Sequence, residues 1–210
     1  MPGVSGRKAL VKVAGAAVTF TDEATTSLGD NKRYQITATT KRVWDRATAL
    51  AVKVAGVLTG ESYTYNRLTG IVTFATVDAG RGAVTLSGKY VPMSVAVGAK
   101  NYSFSIARAM LVDTDFDSAN TNNGFDSYQT SLLSVEGSIG ARLTTDPTLR
   151  DVLLAGNPVV IQLYVDRSGD PDLTLWALLD KHQAQAAFDA VQDGTIGFKG
   201  TADDQGVVAA

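Results

Sequence analysis

Short segments in which apolar and polar residues alternate recur along the whole chain, and turn sequences separate them. The clearest is SYTYNRLTGIVTF, in which Tyr63 and Tyr65 alternate before a turn through Asn66–Gly70, and Ile71 and Phe74 follow it. A period of two places successive side chains on opposite faces of a strand, so this segment is predicted to be a β-hairpin. Valine and threonine, which favour strands, each occur 23 times in 210 residues, and 20 glycines supply turns. The sequence therefore predicts a mainly β fold, an antiparallel β-sandwich or barrel.

The same pattern predicts further strands along the chain. They are 8–20 as two short strands or one bulged strand, 34–40, 49–58, 83–91, 102–112, 159–165, 173–179 and 194–201. The stretch Thr21–Lys32 is predicted to be a polar loop rich in turns. Lys181–Val191 combines helix-favouring Ala and Gln with alternating apolar positions, which favours a strand without deciding between strand and helix.

One short helix is predicted at 147–155, in the run TTDPTLRDVLLAG. Asp146 is placed to cap the first backbone N–H groups, and Pro147 suits the first helical position. Gly156 suits the residue after the helix, where a left-handed backbone ends many helices.

The residue inventory argues against an enzyme and against a bound cofactor. The chain has no cysteine and one histidine, His182, which excludes thiolate chemistry and the zinc motifs that need two histidines. Neither a phosphate-binding glycine loop nor a nucleophile elbow occurs. No apolar run approaches the length of a signal peptide's core or of a membrane span, so the sequence predicts a soluble, unprocessed chain.

A metal site is also not predicted, although Asp113, Asp115 and Asp117 begin like a calcium-binding loop. The pattern then fails, because Ser118 stands where the sharp turn needs glycine and Gly124 where the loop needs a glutamate. These carboxylates are therefore predicted to lie in a solvated or partner-facing loop.

That loop, Asp113–Thr130, is the longest stretch without periodicity. Loops of this length in a compact domain are usually functional or disordered. It carries three aromatic residues that a purely solvated loop would not need, so the predicted assembly residues are Asp113, Asp115, Phe116, Asp117, Phe125 and Tyr128.

Charge divides the chain into two halves. Residues 1–100 carry 13 Lys and Arg against 6 Asp and Glu, a net +7, whereas residues 101–210 carry 6 against 15, a net −9. The split is compatible with one half packing on the other within a molecule. It is equally compatible with head-to-tail self-assembly, in which the basic end of one copy meets the acidic end of the next.

The order of segments in the second half resembles the major tail tube proteins of long-tailed bacteriophages. The segments are YSFSIARAMLV, a long loop, SLLSVEGSIGARL, DPTLRDVLLAG, VVIQLYV, LTLWALL and GTIGFKGTAD. The earlier run AVKVAGVLTGESYTYNRLTGIVTFATVDAGRGAVTLSGKYVP resembles a small β module common in phage structural proteins. On this basis the expected domains are a basic N-terminal β module at 1–100 and an acidic tail-tube-like β core with one helix at 101–210, unless the two are one continuous domain.

The resemblance implies a structural virion protein rather than an enzyme. Its subunits would form hexameric rings that stack head to tail into a tail tube, with the tape measure protein and, in a contractile tail, a sheath as partners. Phage DNA would pass through the lumen without sequence-specific binding. The expected location is the virion tail, with assembly in the host cytoplasm and no contact with a membrane. By position, the loop Asp113–Thr130 would reach a neighbouring subunit or ring.

A second class of function stays open at this point. A monomeric or trimeric β-sandwich could instead bind carbohydrate or decorate a capsid, and it would then expose a cluster of aromatic side chains. Tyr63, Tyr65 and Tyr90 are candidates for such a cluster, although their spacing also suits packing across strands.

Overall fold

A computed structural model shows two seven-stranded antiparallel β-sheets and almost no helix, which confirms the predicted mainly β class. The structure describes residues 9–96, 99–112, 128–142, 151, 154–185 and 193–210. Within these residues the strands are β1 (Leu10–Ala14), β2 (Val18–Ser27), β3 (Arg33–Ile36), β4 (Ala51–Val54), β5 (Val57–Leu58), β6 (Tyr63–Asn66), β7 (Ile71–Phe74), β8 (Val84–Tyr90), β9 (Met93–Val95), β10 (Ala99–Val112), β11 (Tyr128–Arg142), β12 (Val159–Tyr164), β13 (Leu173–Gln185) and β14 (Asp193–Gly200).

The first sheet, sheet I, has the strand order β10-β11-β14-β13-β12-β1-β9 and curls into a half-barrel. The second, sheet II, has the order β5-β4-β8-β2-β3-β7-β6. Sheet I takes two short strands, β1 and β9, from the first hundred residues, because β1 pairs with both β12 and β9. The chain therefore passes from sheet I to sheet II after β1 and returns to sheet I at β9.

Each sheet buries an apolar cluster that follows from strand alternation. In sheet I the odd-numbered residues of β1, β12 and the first part of β13 point to one side, together with Val135, Ile139, Ile196 and Phe198 from β11 and β14. In sheet II the cluster centres on Trp44 and Phe74, both fully buried. Every residue of β12 is buried, so both faces of this strand are covered. The sheet I cluster covers one face, and a second layer of residues covers the other.

That other side is the junction between the two sheets. Val160 and Trp176, from the second face of sheet I, contact Val43, Leu68 and Val91 from the sheet II side. The guanidinium of Arg46 lies over the ring of Trp176, 5.6 Å from its centroid. The two sheets are therefore joined by an apolar contact.

Beside this junction, the buried side chain of Arg67 reaches from the β6–β7 turn to the C-terminal segment. Its Nε donates to Asp204 Oδ1 at 2.8 Å, and its Nη2 donates to Asp204 Oδ2 at 3.1 Å. Its Nη1 donates to the backbone carbonyls of Asp45 and Thr48. One side chain thus ties together three segments that are distant in sequence.

Most of the predicted strands are confirmed, including the β6–β7 hairpin, but the predicted loop Thr21–Lys32 is wrong over its first part. Thr21–Ser27 continues β2, which pairs with β8 and β3. The register shifts between Phe20 and Glu23, and Asp22 takes a positive φ of 49°. This bulge lets a polar, irregular sequence remain in the sheet.

The stretch Lys181–Val191, for which the sequence left strand and helix open, is a strand where the structure describes it. Lys181–Gln185 continues β13 and pairs with β14, and 186–191 lies outside the described residues. Of the predicted helix at 147–155, the described residues Asp151, Leu154 and Ala155 are helical, and the rest lies outside the described residues. Gly156 has the expected left-handed backbone, with a φ of 65°.

Candidate assembly surface

The longest element of the fold is the antiparallel pair of β10 and β11, with 14 and 15 residues. At about 3.3 Å per residue, each strand extends about 45 Å. Within the part of the chain that the structure describes, β14 pairs with β11 only at Glu136–Arg142, and Tyr128–Val135 of β11 pairs with no strand except β10. Two-stranded ribbons are marginally stable in water unless something covers one of their faces.

One face of this ribbon continues the buried face of sheet I. Ile106 lies opposite Val135, which is 3% exposed, and Tyr102 lies opposite Ile139, which is fully buried. Residues directly opposite each other in an antiparallel pair share a face of the sheet. The side chains along this part of β10 therefore belong to the face that forms the core further along the sheet.

Toward the outer end of the ribbon, however, these apolar side chains are exposed. Phe104 is 41%, Ile106 51%, Met110 65% and Leu133 48% exposed. Phe104 stacks on Tyr102 with ring centroids 6.5 Å apart, which aligns the two aromatic rings along the strand. We call the apolar residues of this row, Phe104, Ile106, Met110 and Leu133, the ribbon face. Arg108, which is exposed and lies opposite Leu133, is on the same face between Ile106 and Met110.

Gly137 fixes how the ribbon joins the core. It pairs with Phe104 on one side and with Phe198 on the other. A Cβ at this position would lie 2.5 Å from Phe198 Cζ and 2.3 Å from the backbone oxygen of Ser103. The absence of a side chain therefore allows the ring of Phe198 to lie across β11 beside the ribbon face.

β10 is also the edge strand of sheet I, so within the described residues its outer side has no strand partner. An edge strand presents unpaired backbone N–H and C=O groups, which can pair with another chain. The register shift between Arg108 and Met110 interrupts the ladder near the outer end of the ribbon. The inner end is held by an ion pair, in which Lys100 Nζ lies 2.5 Å from Asp193 Oδ1 on β14.

Tyr102 marks the boundary between the covered and the uncovered parts of this face. Burial raises the pKa of the Tyr102 phenol, and the nearby carboxylate of Asp172 raises it further. Asp172 lies in the turn between β12 and β13, so the curl of sheet I brings that turn toward β10. Beyond Tyr102, the apolar side chains of the ribbon face are exposed.

The predicted assembly residues lie mostly outside this surface as the structure describes it. Asp113, Asp115, Phe116, Asp117 and Phe125 fall outside the described residues. Tyr128 was predicted to lie in a loop that ends at Thr130, but Tyr128–Thr130 belongs to β11, and Tyr128 pairs with Val112. The prediction of a loop was wrong here because alternation in YQTSLLSV is obscured by polar residues on both sides of Tyr128.

The residues of the ribbon face were not singled out from the sequence, although the strand that carries most of them was predicted. Alternation identifies which residues share a face, and it does so correctly for Tyr102, Phe104 and Ile106. It does not reveal where along a strand the covering layer ends. That limit depends on which strands pair with β11, a contact between residues about 60 positions apart.

The tyrosines considered for a binding face pack into sheet II instead. Tyr63 lies against Phe74 with ring centroids 6.2 Å apart, and Tyr90 lies 6.4 Å from Phe20. Tyr65 donates its hydroxyl proton to Asp204 at 2.8 Å. Their spacing therefore reflects packing across strands.

The described side chains that could take part in catalysis or bind a metal ion do not form a cluster. His182 is half-buried on β13 and pairs in register with Ile196. Among the described residues, no three His, Cys, Asp or Glu side chains come close enough to hold a metal ion. In the same part of the chain, none of the helices has the length and apolar character needed to cross a membrane.

Comparison with known proteins gives partial structural matches. No protein-family model matches the chain, and no curated protein sequence matches it. Among solved structures, a chain from the tail of an empty gene transfer agent particle, refined with C6 symmetry, is similar with a TM-score of 0.44 and 10% identity. That match covers 51% of this chain and 81% of the other. A chain from the virion of the native gene transfer agent particle gives a TM-score of 0.43 and 10% identity, covering 51% and 82%.

Proposed function

We propose that the protein is a structural subunit of a virus tail, and that copies of it assemble into hexameric rings that stack into a tail tube. The observation that carries the proposal is the ribbon face, a row of apolar side chains that continues the core of sheet I but is uncovered in the single chain. The sequence resemblance to major tail tube proteins, described above, gives the proposed architecture.

A second copy is the occupant that best explains the ribbon face. Covering Phe104, Ile106, Met110 and Leu133 removes apolar area from water, which stabilises an assembly by about 25 cal/mol per Å². The unpaired edge of β10 would gain backbone hydrogen bonds from the same contact. Repeating one such heterologous contact closes a ring when the rotation between neighbours permits it.

The other proposed partners follow from this role. A stacked tube would surround DNA without reading its sequence, and the acidic net charge of −2 does not favour tight binding to phosphates. The tape measure protein and, in a contractile tail, a sheath would contact the tube. The location is the virion tail, after assembly in the host cytoplasm.

The segment 113–127, together with Tyr128 at the start of β11, is proposed to contact the neighbouring subunit or ring through Phe116, Phe125 and Tyr128. Deleting Asn120–Gly124 should leave the subunits folded but shorten the tubes or abolish them. Tube lengths that stay unchanged in electron micrographs would remove the loop from this role.

The proposed assembly is tested by placing a charge on the ribbon face. Ile106→Glu and Met110→Glu should leave the monomer folded, because both side chains are already more than half exposed. Each should shift the protein from large assemblies toward the monomer in sedimentation velocity, since a carboxylate would be desolvated in the contact. Val57→Glu provides the matched control, because Val57 is 70% exposed on the edge strand of sheet II.

Two outcomes separate the candidate functions. Assembly that is lost in the ribbon-face variants and retained in the Val57 control supports the tail-tube role. Wild-type protein that stays monomeric and binds a glycan in a carbohydrate screen would support the alternative, a β-sandwich binding module.

A further inference from the structure

A cleft of about 590 Å³ lies at the rim of the junction between the two sheets. Lys12 and Gln162, which pair in register on β1 and β12, line one side of it. Arg42 and Thr69 line the other side from the sheet II half. The cleft is therefore built by residues from both sheets, and the apolar junction next to it holds its two sides together.

The charged side chains of the cleft are unbalanced. Its lining contains three cationic side chains, Lys12, Arg42 and Arg167, against the one carboxylate side chain of Asp170. Among the described residues, neither Lys12 nor Arg42 makes an ion pair, although most other cations of the first half do. Asp170 and the last residue, Ala210, also line the cleft, but neither Lys12 nor Arg42 forms an ion pair with them. Two positive charges thus face the cleft without an ion-pair partner among the described residues.

Neutral contacts hold both of these cations in place. Lys12 Nζ lies 4.8 Å from the centroid of the Tyr164 ring, and the Tyr164 hydroxyl donates to Gln162 Oε1 at 3.0 Å. Arg42 Nε donates to the Ile36 backbone oxygen at 3.4 Å, which leaves the terminal nitrogens of the guanidinium as donors. The hydroxyl of Thr69, also in the lining, is buried and has no hydrogen-bond partner among the residues that the structure describes. These groups offer an arrangement of donors suited to an oxyanion.

We propose that this cleft binds a carboxylate-bearing segment of a second copy of the chain, held by Lys12 and Arg42. The inference rests on the proposed self-assembly. A volume of about 590 Å³ exceeds that of a single small anion and accommodates several side chains of a segment.

Charge complementarity indicates the source of that segment. Lys12 and Arg42 belong to the half of the chain with a net +7, and the other half has a net −9. Glu136 on β11 illustrates the surplus, because it is exposed and makes no ion pair with a described residue. A contact between unlike surfaces of two copies is head-to-tail, which is the geometry that propagates a stack.

The test measures the critical concentration for assembly of four proteins, at low salt and at high salt. They are the wild type, the double variant Lys12→Gln with Arg42→Gln, the conservative variant Lys12→Arg, and the control Lys89→Gln. Lys89 is an exposed lysine of β8 that does not line the cleft, so the control removes a positive charge elsewhere. Circular dichroism and thermal unfolding establish that each variant is folded.

We expect the double variant to raise the critical concentration at low salt by at least about tenfold, because it leaves a partner carboxylate unpaired. Lys12→Arg should retain assembly, and Lys89→Gln should change the critical concentration by less than about twofold. Inorganic phosphate, compared with chloride at equal ionic strength, should inhibit assembly of the wild type. It should not inhibit the residual assembly of the double variant.

Three results would overturn the inference, and they are distinguishable. If the wild type assembles and the double variant matches Lys89→Gln, the cleft is not an assembly site while the proposed function stands. If phosphate raises the melting temperature of the wild type but the double variant assembles normally, the cleft binds free oxyanions rather than a second copy. If the wild type never assembles, the proposed function fails together with this inference.

Discussion

At the scale of single residues, Arg67 joins the β6–β7 turn to the C-terminal segment that follows β14. Its side chain is 2% exposed, and it donates to the Asp204 carboxylate, to two backbone carbonyls and to the Tyr65 hydroxyl. Its guanidinium carbon also lies 4.7 Å from the centroid of the Tyr65 ring. A planar guanidinium with five donors can serve these partners at once, whereas an ammonium group cannot.

Replacing Arg67 by methionine should lower the free energy of unfolding by about 3 kcal/mol, because the Asp204 carboxylate and the partly buried carbonyl oxygens of Asp45 and Thr48 would lose their donor. Urea denaturation measures the change. Arg33→Met is the matched control, since Arg33 pairs with Asp30 on the surface, and its midpoint should remain nearly unchanged. Equal losses in the two variants would contradict the role assigned to Arg67.

Asp204 makes this contact sensitive to acid. The hydrogen bond from Arg67 lowers the pKa of the Asp204 carboxyl from 3.8 to about 2. A carboxyl whose pKa is lower in the folded state stabilises that state above pH 3.8, and the stabilisation is lost as the pH falls toward 2. Asp204→Asn should therefore unfold with a smaller change in melting temperature between pH 5 and pH 2 than the wild type. Parallel melting curves of the two proteins would show that the contact contributes no pH dependence.

At the scale of elements, the β10–β11 ribbon depends on close approach at Gly137. Gly137→Ala places a Cβ within 2.5 Å of both the Ser103 backbone oxygen and Phe198 Cζ, so β10 or the Phe198 ring must move. The expected loss is about 2 kcal/mol of unfolding free energy, measured by denaturant titration. Gly60→Ala is the control, because nothing lies within 4 Å of the added atom, and it should change stability by less than about 0.5 kcal/mol. A neutral Gly137→Ala variant would contradict the packing described here.

Local patterns in the sequence predict strands well when their partner is near in the chain. The β6–β7 hairpin follows from alternation around one turn, and the left-handed Gly156 follows from its position after a helical pattern. The pairing of β1 with β12 does not follow from a local pattern, because it joins residues about 150 positions apart. The ribbon face could not be predicted for the same reason, because its exposure depends on where β14 stops pairing with β11.

At the scale of the whole molecule, the proposed assembly would depend on the charge split and on the ribbon face in different ways. Burying the ribbon face stabilises a contact with little dependence on salt, whereas contacts between the basic and acidic halves are screened within about 10 Å at 0.1 M salt. The two contributions can therefore be separated by varying the ionic strength.

We propose that apolar contacts close the rings and that contacts between opposite charges stack them. Added salt should therefore weaken the stacking of rings more than it weakens the closure of each ring. Light scattering against salt concentration should show shorter assemblies at high salt, and sedimentation should show that a ring-sized species persists. Assembly lengths that do not change with salt would contradict stacking by charge.

Electron microscopy of the negatively stained, purified protein over a range of concentrations tests the central proposal most directly. Rings or hollow tubes with six-fold end views are expected for the wild type, and they should disappear in the Ile106→Glu variant. A wild-type protein that remains a uniform 22.0 kDa particle at every concentration would contradict it.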